Sequence, residues 1–148
     1  MLTRGQIDLV QNSFVRVLPV TTLAAEVFYG RLFALAPDTR ALFLGDMADQ
    51  GRKLFLTLAA VVDSLDRLDR VVPTAEALAI RHIGYGARSE HYAVVGVALL
   101  DMLRAVLDRH FDSETAGAWS DAYAVLSECM LAAVRRSAAA VPDTASAA

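Results

Sequence analysis

Apolar residues recur every three or four positions through most of the chain, which is the spacing of one buried face of an α-helix. The first such segment opens with Thr3 and Gln6, a threonine followed three residues later by a glutamine, which is the form of a capping box. The apolar face of this segment consists of Ile7, Val10, Phe14 and Val17. We find no persuasive apolar–polar alternation of the kind that marks a half-buried strand, so the pattern predicts an all-α fold.

Proline, glycine and capping residues divide this pattern into six main helices and one short third helix. The first helix ends at Pro19, and we predict further helices over residues 23–35, 47–65, 73–84, 89–110 and 113–137, with the short one over 38–43. The expected helix starts are Thr21 or Thr22 as a cap, Asp46 as a cap, Pro73 with Thr74, Ser89 as a cap, and Asp112 or Ser113 as a cap.

The apolar content of the chain is high for a protein of this length. Of 148 residues, 55% are hydrophobic and 21% are charged, which predicts a deep core or an apolar cavity that another molecule fills. One domain over residues 1–137 is expected, since this length can bury a substantial core. Residues 138–148 are small and unpatterned, so we expect a disordered tail there.

Charge and cysteine content exclude several classes of function. The net charge of -3 comes without a cluster of Lys and Arg, so nucleic-acid binding is not expected. The longest uninterrupted apolar run, residues 92–100, is too short to span a bilayer, and residues 1–8 lack the apolar block of a signal peptide. The single Cys129 cannot form an intrachain disulfide. We therefore expect a cytoplasmic protein that does not associate with a membrane.

His82 is the first candidate for chemistry, because it falls on the apolar side of its predicted helix near Gly84. An imidazole that faces an apolar cavity suits an axial iron ligand. It equally suits an ordinary buried histidine, and in isolation that structural role is the more common one. Other residues of the chain are needed to distinguish the ligand role from the structural role.

Several short motifs occur in an order and spacing that are specific together, although each alone is a common composition. They are residues 27–33 (VFYGRLF), Pro37, Leu42 with Phe43, residues 50–54 (QGRKL), Arg81 with His82, Tyr85 with Gly86, His91 with Tyr92, Val95 with Gly96, and Trp119 with Tyr123. Together they resemble the globin family, and specifically the single-domain bacterial globins and the haem domain of flavohaemoglobins. The resemblance covers about residues 1–137 and implies a globin fold, a 3-on-3 helical sandwich that encloses a pocket for haem b.

The resemblance assigns roles to residues of both sides of that pocket. His82 matches the proximal histidine that ligates the iron, and Tyr29 and Gln50 match the distal pair, which we take as the catalytic residues. The other implied haem contacts are Phe43 stacked on the porphyrin, Leu54 closing the distal side, Tyr92 bonding near the proximal histidine, Val95 and Tyr123 as walls, and Lys53 and Arg81 near the propionates.

These residues also have ordinary structural explanations. Tyr29 and Phe33 are four residues apart and would pair in any helical core, and Gln50 could be an exposed amide. Phe43, Leu54 and Val95 would line a core with or without a cofactor. Tyr92 and Tyr123 are equally ambiguous.

The remaining histidines and two further side chains are expected to be structural. We expect His91 to face solvent at the start of its helix and His110 to interact with a helix C-terminus. Trp119 is expected to be a structural residue and Cys129 an inert buried thiol.

The chain departs from the flavohaemoglobin pattern in two respects. Counting from Trp119 and Tyr123, Val134 stands where flavohaemoglobins have a glutamate that polarises the proximal histidine, and Glu128 lies on a different face. From the length we expect no flavin and nicotinamide reductase domain. The resemblance therefore implies reversible binding of O2, nitric oxide or another diatomic gas, and oxidation of nitric oxide to nitrate only with an external reductase.

Two other functions stay open on the sequence alone. A haem-based gas sensor or electron-transfer globin would have protein ligands on both sides of the iron; Gln50 disfavours a histidine there, whereas Tyr29 could ligate ferric iron. A haem-free, globin-like signalling or interaction module would keep the helices and lose the function of the cavity.

Overall fold

A computed structural model describes residues 2–84 and 86–140 of the chain. In this part of the chain every regular element is helical. The six α-helices are α1 (Arg4–Val17), α2 (Thr21–Leu35), α3 (Met47–Ser64), α4 (Leu68–Gly84), α5 (Ser89–Leu107) and α6 (Ser113–Ala140). Short 3-10 helices occupy Leu18–Val20, Pro37–Leu42 and Asp108–His110. The predicted all-α fold with six main helices is confirmed.

Three helix starts follow from local sequence, as predicted. Thr3 and Gln6 form the capping box of α1, in which each backbone N–H donates to the side chain of the other residue. Asp46 accepts a hydrogen bond from the N–H of Ala48 at the start of α3. Asp112 accepts from the N–H of Thr115 at the start of α6. The short predicted helix at 38–43 is the 3-10 helix Pro37–Leu42.

The predicted caps at Thr21 or Thr22 and at Ser89 are wrong. The 3-10 turn Leu18–Val20 leads directly into α2, so both threonines already lie inside the helix, and its start has no side-chain cap. Ser89 is the first residue of α5 rather than its cap. The backbone N–H of Arg88 donates instead to Nδ1 of His91, at 3.0 Å.

Helix α4 begins at Leu68, five residues before the predicted start at Pro73. The carbonyl of Arg67 accepts from the N–H groups of Arg70 and Val71, which closes the first turn. Val71 is buried, so packing against the core favours the helical conformation of this charged stretch. Pro73 has no N–H to donate to the carbonyl four residues earlier in the helix. The helix tolerates this loss because Pro73 and the residue with that carbonyl are both exposed to water.

Helix α6 continues to Ala140, three residues beyond the predicted end at Ser137. Residues 138–140 of the predicted disordered tail are therefore helical, and the remaining residues of that prediction, 141–148, lie outside the described part of the chain. Helix α6 packs extensively on α1 and α4, while α2 packs on α3 and α5.

Buried apolar side chains form two clusters. The larger one joins α1, α2, α3 and α5 with the first turns of α6, and it includes Val10, Phe28 and Leu99. The smaller one joins the end of α3 to α4, the start of α5 and the later part of α6, and it includes Leu78 and Met130. The fold therefore has a divided core.

The run Arg4–Leu35 is long and apolar enough, by length and composition, to cross a membrane, unlike the shorter run considered in the sequence. In the structure the 3-10 turn containing Pro19 divides this run into α1 and α2. Val10, Val17 and Phe28 lie in the larger core cluster. Burial in the fold thus accounts for part of its apolar composition.

Candidate functional site

An apolar cavity of about 150 Å³ lies between the two core clusters. Each of the six helices contributes to its wall, from Val10 in α1 to Met130 in α6. Nearly all of the lining surface is apolar. A wall of this composition suits an apolar molecule. The structure therefore has the cavity that the apolar composition led us to expect.

His82 lies on the cavity wall, one helical turn after Leu78. Its ring Nδ1 is 2.7 Å from the backbone carbonyl oxygen of Leu78. A carbonyl only accepts, so Nδ1 carries the proton and the lone pair of the neutral ring is on Nε2. This bond to the backbone fixes the tautomer and the plane of the ring, as a hydrogen bond to the other ring nitrogen does for metal-binding histidines. In this tautomer Nε2 is the nitrogen that could ligate a metal.

Among the described residues, no group of three or more His, Cys, Asp or Glu is arranged to hold a metal ion. The His82 imidazole is a donor that suits a metal which brings the rest of its coordination sphere with it.

His91 also lines the cavity, and the prediction that it faces solvent is wrong. The residue is 7% exposed, because the start of α5 packs against the 3-10 helix Pro37–Leu42. Its Nε2 is 3.2 Å from Oδ2 of Asp38, and this hydrogen bond is the main reason that the pKa of Asp38 lies below its usual range. No local pattern indicated this position, because Arg88 and His91 do not match the Ser/Thr and Glu/Gln of a capping box and Asp38 is 53 residues away.

Tyr92 and Tyr123 both line the cavity. The hydroxyl of Tyr123 donates to the backbone carbonyl of Tyr92 at 2.6 Å, which ties α6 to α5 at the wall. Burial raises the pKa of both tyrosines. Both side chains are therefore neutral at physiological pH.

Tyr29 lies in a cluster of four aromatic rings, with centroid distances of 5.1 Å to Phe28, 5.9 Å to Phe33 and 5.2 Å to Phe43. Its hydroxyl donates to the backbone carbonyl of Gln50 at 3.2 Å. Burial raises the pKa of Tyr29 to about 12, so it stays a neutral hydrogen-bond donor. Phe28 belongs to both the ring cluster and the cavity wall, which places this cluster beside the cavity.

The structure brings together only part of the predicted site. The described cavity wall contains His82, Leu54, Tyr92, Val95 and Tyr123. The predicted site residues that are not among its described lining residues are Tyr29, Phe43, Gln50, Lys53 and Arg81. Lys53 and Arg81 are exposed, and they directly precede Leu54 and His82, which do line the wall.

Val134, which stands at the position of the flavohaemoglobin glutamate, has an apolar environment. Val134 packs against the smaller core cluster, together with Cys129, and Glu128 is exposed. Trp119 donates from Nε1 to the hydroxyl of Ser13 at 2.8 Å, which satisfies its polar atom inside the core.

Comparison with known proteins agrees with this architecture. The family model described as Globin matches residues 26–130. A flavohemoprotein of Bordetella parapertussis is 33% identical over 107 residues, which is 70% of this chain and 27% of the relative. A flavohemoprotein of Vibrio cholerae is 27% identical over 88% of this chain and 34% of its own length.

A smaller relative matches along nearly its full length. An uncharacterized globin-like protein of Aquifex aeolicus is 27% identical over 88% of this chain and 93% of its own. By contrast, the chain spans about a third or less of the flavohemoproteins. Since the globin model covers well over half of the chain and six helices enclose a histidine-bearing apolar cavity, the chain belongs to the globin family.

Proposed function

We propose that this globin binds one haem b in the cavity, that His82 would hold its iron, and that the complex binds O2 and other diatomic gases. The observation that carries the proposal is the His82 ring on an apolar wall, with Nδ1 bonded to the Leu78 carbonyl. When bound, haem supplies the iron at which a diatomic gas coordinates.

The residues present fit such a group. The walls from six helices are almost wholly apolar, as a planar hydrophobic ligand requires, and the His82 imidazole offers the iron one nitrogen. Lys53 and Arg81 are exposed cations beside wall residues, and neither makes an ion pair with a residue in the described part of the chain. We propose that these two side chains form ion pairs with the carboxylates at the edge of the haem.

Tyr29 and Gln50 are proposed as the distal residues. Tyr29 remains neutral far above physiological pH and can donate a hydrogen bond to a gas bound in the cavity. To do so its hydroxyl must turn away from the Gln50 carbonyl, or share its proton with it. Such a bond stabilises a polar bound ligand in a water-free pocket and slows its release.

The proximal side favours reversible gas binding. His82 bonds to a neutral carbonyl, and Val134 provides no carboxylate at the flavohaemoglobin glutamate position. A carboxylate partner would increase the electron donation of the imidazole, so we expect His82 to be a less anionic ligand. Conversion of nitric oxide to nitrate is a further proposed activity, and it requires electrons from an external reductase.

The test is titration of the apoprotein with haemin. We expect a Soret band that saturates at one equivalent, and loss of tight binding in His82→Ala. His110→Ala is the matched control, because His110 is exposed in the 3-10 helix Asp108–His110, away from the cavity wall.

The same spectra separate the rival functions. Absence of a Soret band in the wild type, or unchanged haemin affinity in His82→Ala, would sink the proposal and favour a haem-free interaction module. A six-coordinate spectrum with a protein ligand on both sides would favour a sensor or electron-transfer globin.

A further inference from the structure

His91 makes hydrogen bonds in two directions from inside the cavity wall. Its Nδ1 accepts from the backbone N–H of Arg88 at the start of α5. Its Nε2 faces Oδ2 of Asp38, which belongs to the 3-10 helix Pro37–Leu42. One buried imidazole thus joins two elements that are 53 residues apart in the chain.

These partners define the protonation state of the ring. A backbone N–H can only donate, so Nδ1 must present its lone pair to Arg88. The proton of the neutral ring is therefore on Nε2, where it is donated to the Asp38 carboxylate. This tautomer is the reverse of that of His82, whose Nδ1 donates to a carbonyl.

We propose that His91 is a positioning residue for the haem pocket: it holds the start of α5 against the 3-10 helix Pro37–Leu42 through Asp38, caps that start, and loses the cap in acid. The inference rests on the proposed haem binding. The start of α5 carries Tyr92 and Val95, both on the cavity wall, so a shift there changes the fit around the cofactor.

The sign of the pH effect follows from the groups that face the ring. They are Asp38, Arg88 and, through its ion pair with Arg88, Glu90. Since Nε2 already carries a proton, a second proton must enter on Nδ1, where it meets the N–H of Arg88. Two donors cannot bond, so the capping bond of α5 is lost while the contact with Asp38 gains charge. Acid therefore removes the cap from the start of α5, although the contact with Asp38 remains.

The tautomer can be tested on the apoprotein, with no dependence on haem. Nitrogen-15 NMR at neutral pH should show the His91 proton on Nε2. On titration from about pH 8 to about pH 5, the Arg88 amide should shift with the same midpoint as the His91 ring. A proton on Nδ1 at neutral pH, or an Arg88 amide that ignores the His91 titration, overturns the proposal.

The effect on the pocket is tested by the rate of haemin transfer from the holoprotein to excess apomyoglobin. His91→Ala should accelerate transfer about tenfold at neutral pH, since it removes both hydrogen bonds. His91→Asn retains an acceptor near the position of Nδ1 that does not titrate. We expect its neutral rate within about threefold of wild type, because the capping bond persists.

Any loss of haem in acid that does not depend on His91 occurs in every variant, so the comparison between variants isolates His91. Wild type should accelerate more steeply in acid than His91→Asn, and His110→Asn should follow wild type. Equal acid profiles for wild type and His91→Asn overturn the proposal even if His91→Ala fails to fold. If no haem binds at all, the proposed function fails, and the NMR result is unaffected.

Discussion

At the scale of single residues, two buried tyrosine hydroxyls donate to backbone carbonyls of a different helix. Tyr29 in α2 bonds to Gln50 in α3, and Tyr123 in α6 bonds to Tyr92 in α5. Burial raises the pKa of both tyrosines, which keeps them as neutral donors. They differ in place: Tyr123 lines the cavity, whereas Tyr29 lies in the aromatic cluster beside it.

Tyr29→Phe should speed O2 dissociation about tenfold, because one hydrogen bond to a polarised ligand is lost. Stopped-flow displacement of O2 by carbon monoxide measures this rate. An unchanged rate in Tyr29→Phe would remove Tyr29 from the proposed distal site.

The raised pKa of Tyr29 predicts a loss of stability in alkali. A folded-state pKa of about 12 against the usual value of 10.0 means that the native state holds this proton more tightly than the unfolded chain. The contribution of this proton to stability is complete below the pKa of the unfolded state, and it is lost as the pH rises through the pKa of the folded state.

We therefore expect the free energy of unfolding of the apoprotein to fall as the pH rises from about 10 to about 12, and Tyr29→Phe to lose about 2 kcal/mol less. Urea unfolding followed by circular dichroism at several pH values measures both. Identical pH slopes for the two proteins would contradict the assignment.

At the scale of elements, side-chain caps determine where several helices begin. The capping box of α1 also extends into tertiary structure, because Nε2 of Gln6 donates to Asp121 in α6 at 2.6 Å. The start of α2, by contrast, has no side-chain cap, although two threonines stand there.

Thr3→Ala should lower the free energy of unfolding by about 1 kcal/mol, because the N–H of Gln6 loses its acceptor. Thr22→Ala is the matched control: Thr22 is exposed and does not cap α2, so stability should stay the same or rise slightly. Thermal unfolding of the apoproteins measures both. Equal losses in the two variants would show that capping is not the cause.

At the scale of the whole molecule, the core is divided by the cavity, and close helix contacts shape its wall. A Cβ built on Gly96 of α5 would be 2.8 Å from the Tyr123 ring of α6. Likewise, a Cβ on Gly51 of α3 would be 2.9 Å from Cβ of Ala25 in α2. Both glycines permit approaches that any side chain would prevent.

Gly96→Ala should destabilise the protein by about 1–3 kcal/mol, because the added methyl must displace the Tyr123 ring from its place in the wall. Gly30→Ala in α2 has open space around its Cβ and should stabilise by about 0.5–1 kcal/mol. Chemical unfolding of both variants measures these changes in the free energy of unfolding. A stable Gly96→Ala with unchanged haemin affinity would show that the α5–α6 contact adapts freely.

Sequence alone determined what depends on neighbouring residues. The helix pattern, the caps at Thr3, Asp46 and Asp112, and the apolar face that carries His82 follow from local spacing and local hydrogen bonds. These features need no distant partner, so a reading of the chain could predict them.

Only the tertiary structure decided the features that join distant residues. The buried His91 is hydrogen-bonded to the distant Asp38, and the hydroxyl of Tyr29 donates to the carbonyl of Gln50 in another helix. Helix α4 begins at Leu68 because Val71 is buried in the core. A side chain's exposure and hydrogen-bond partner are properties of the packed molecule, and no local pattern encodes which distant group will face it.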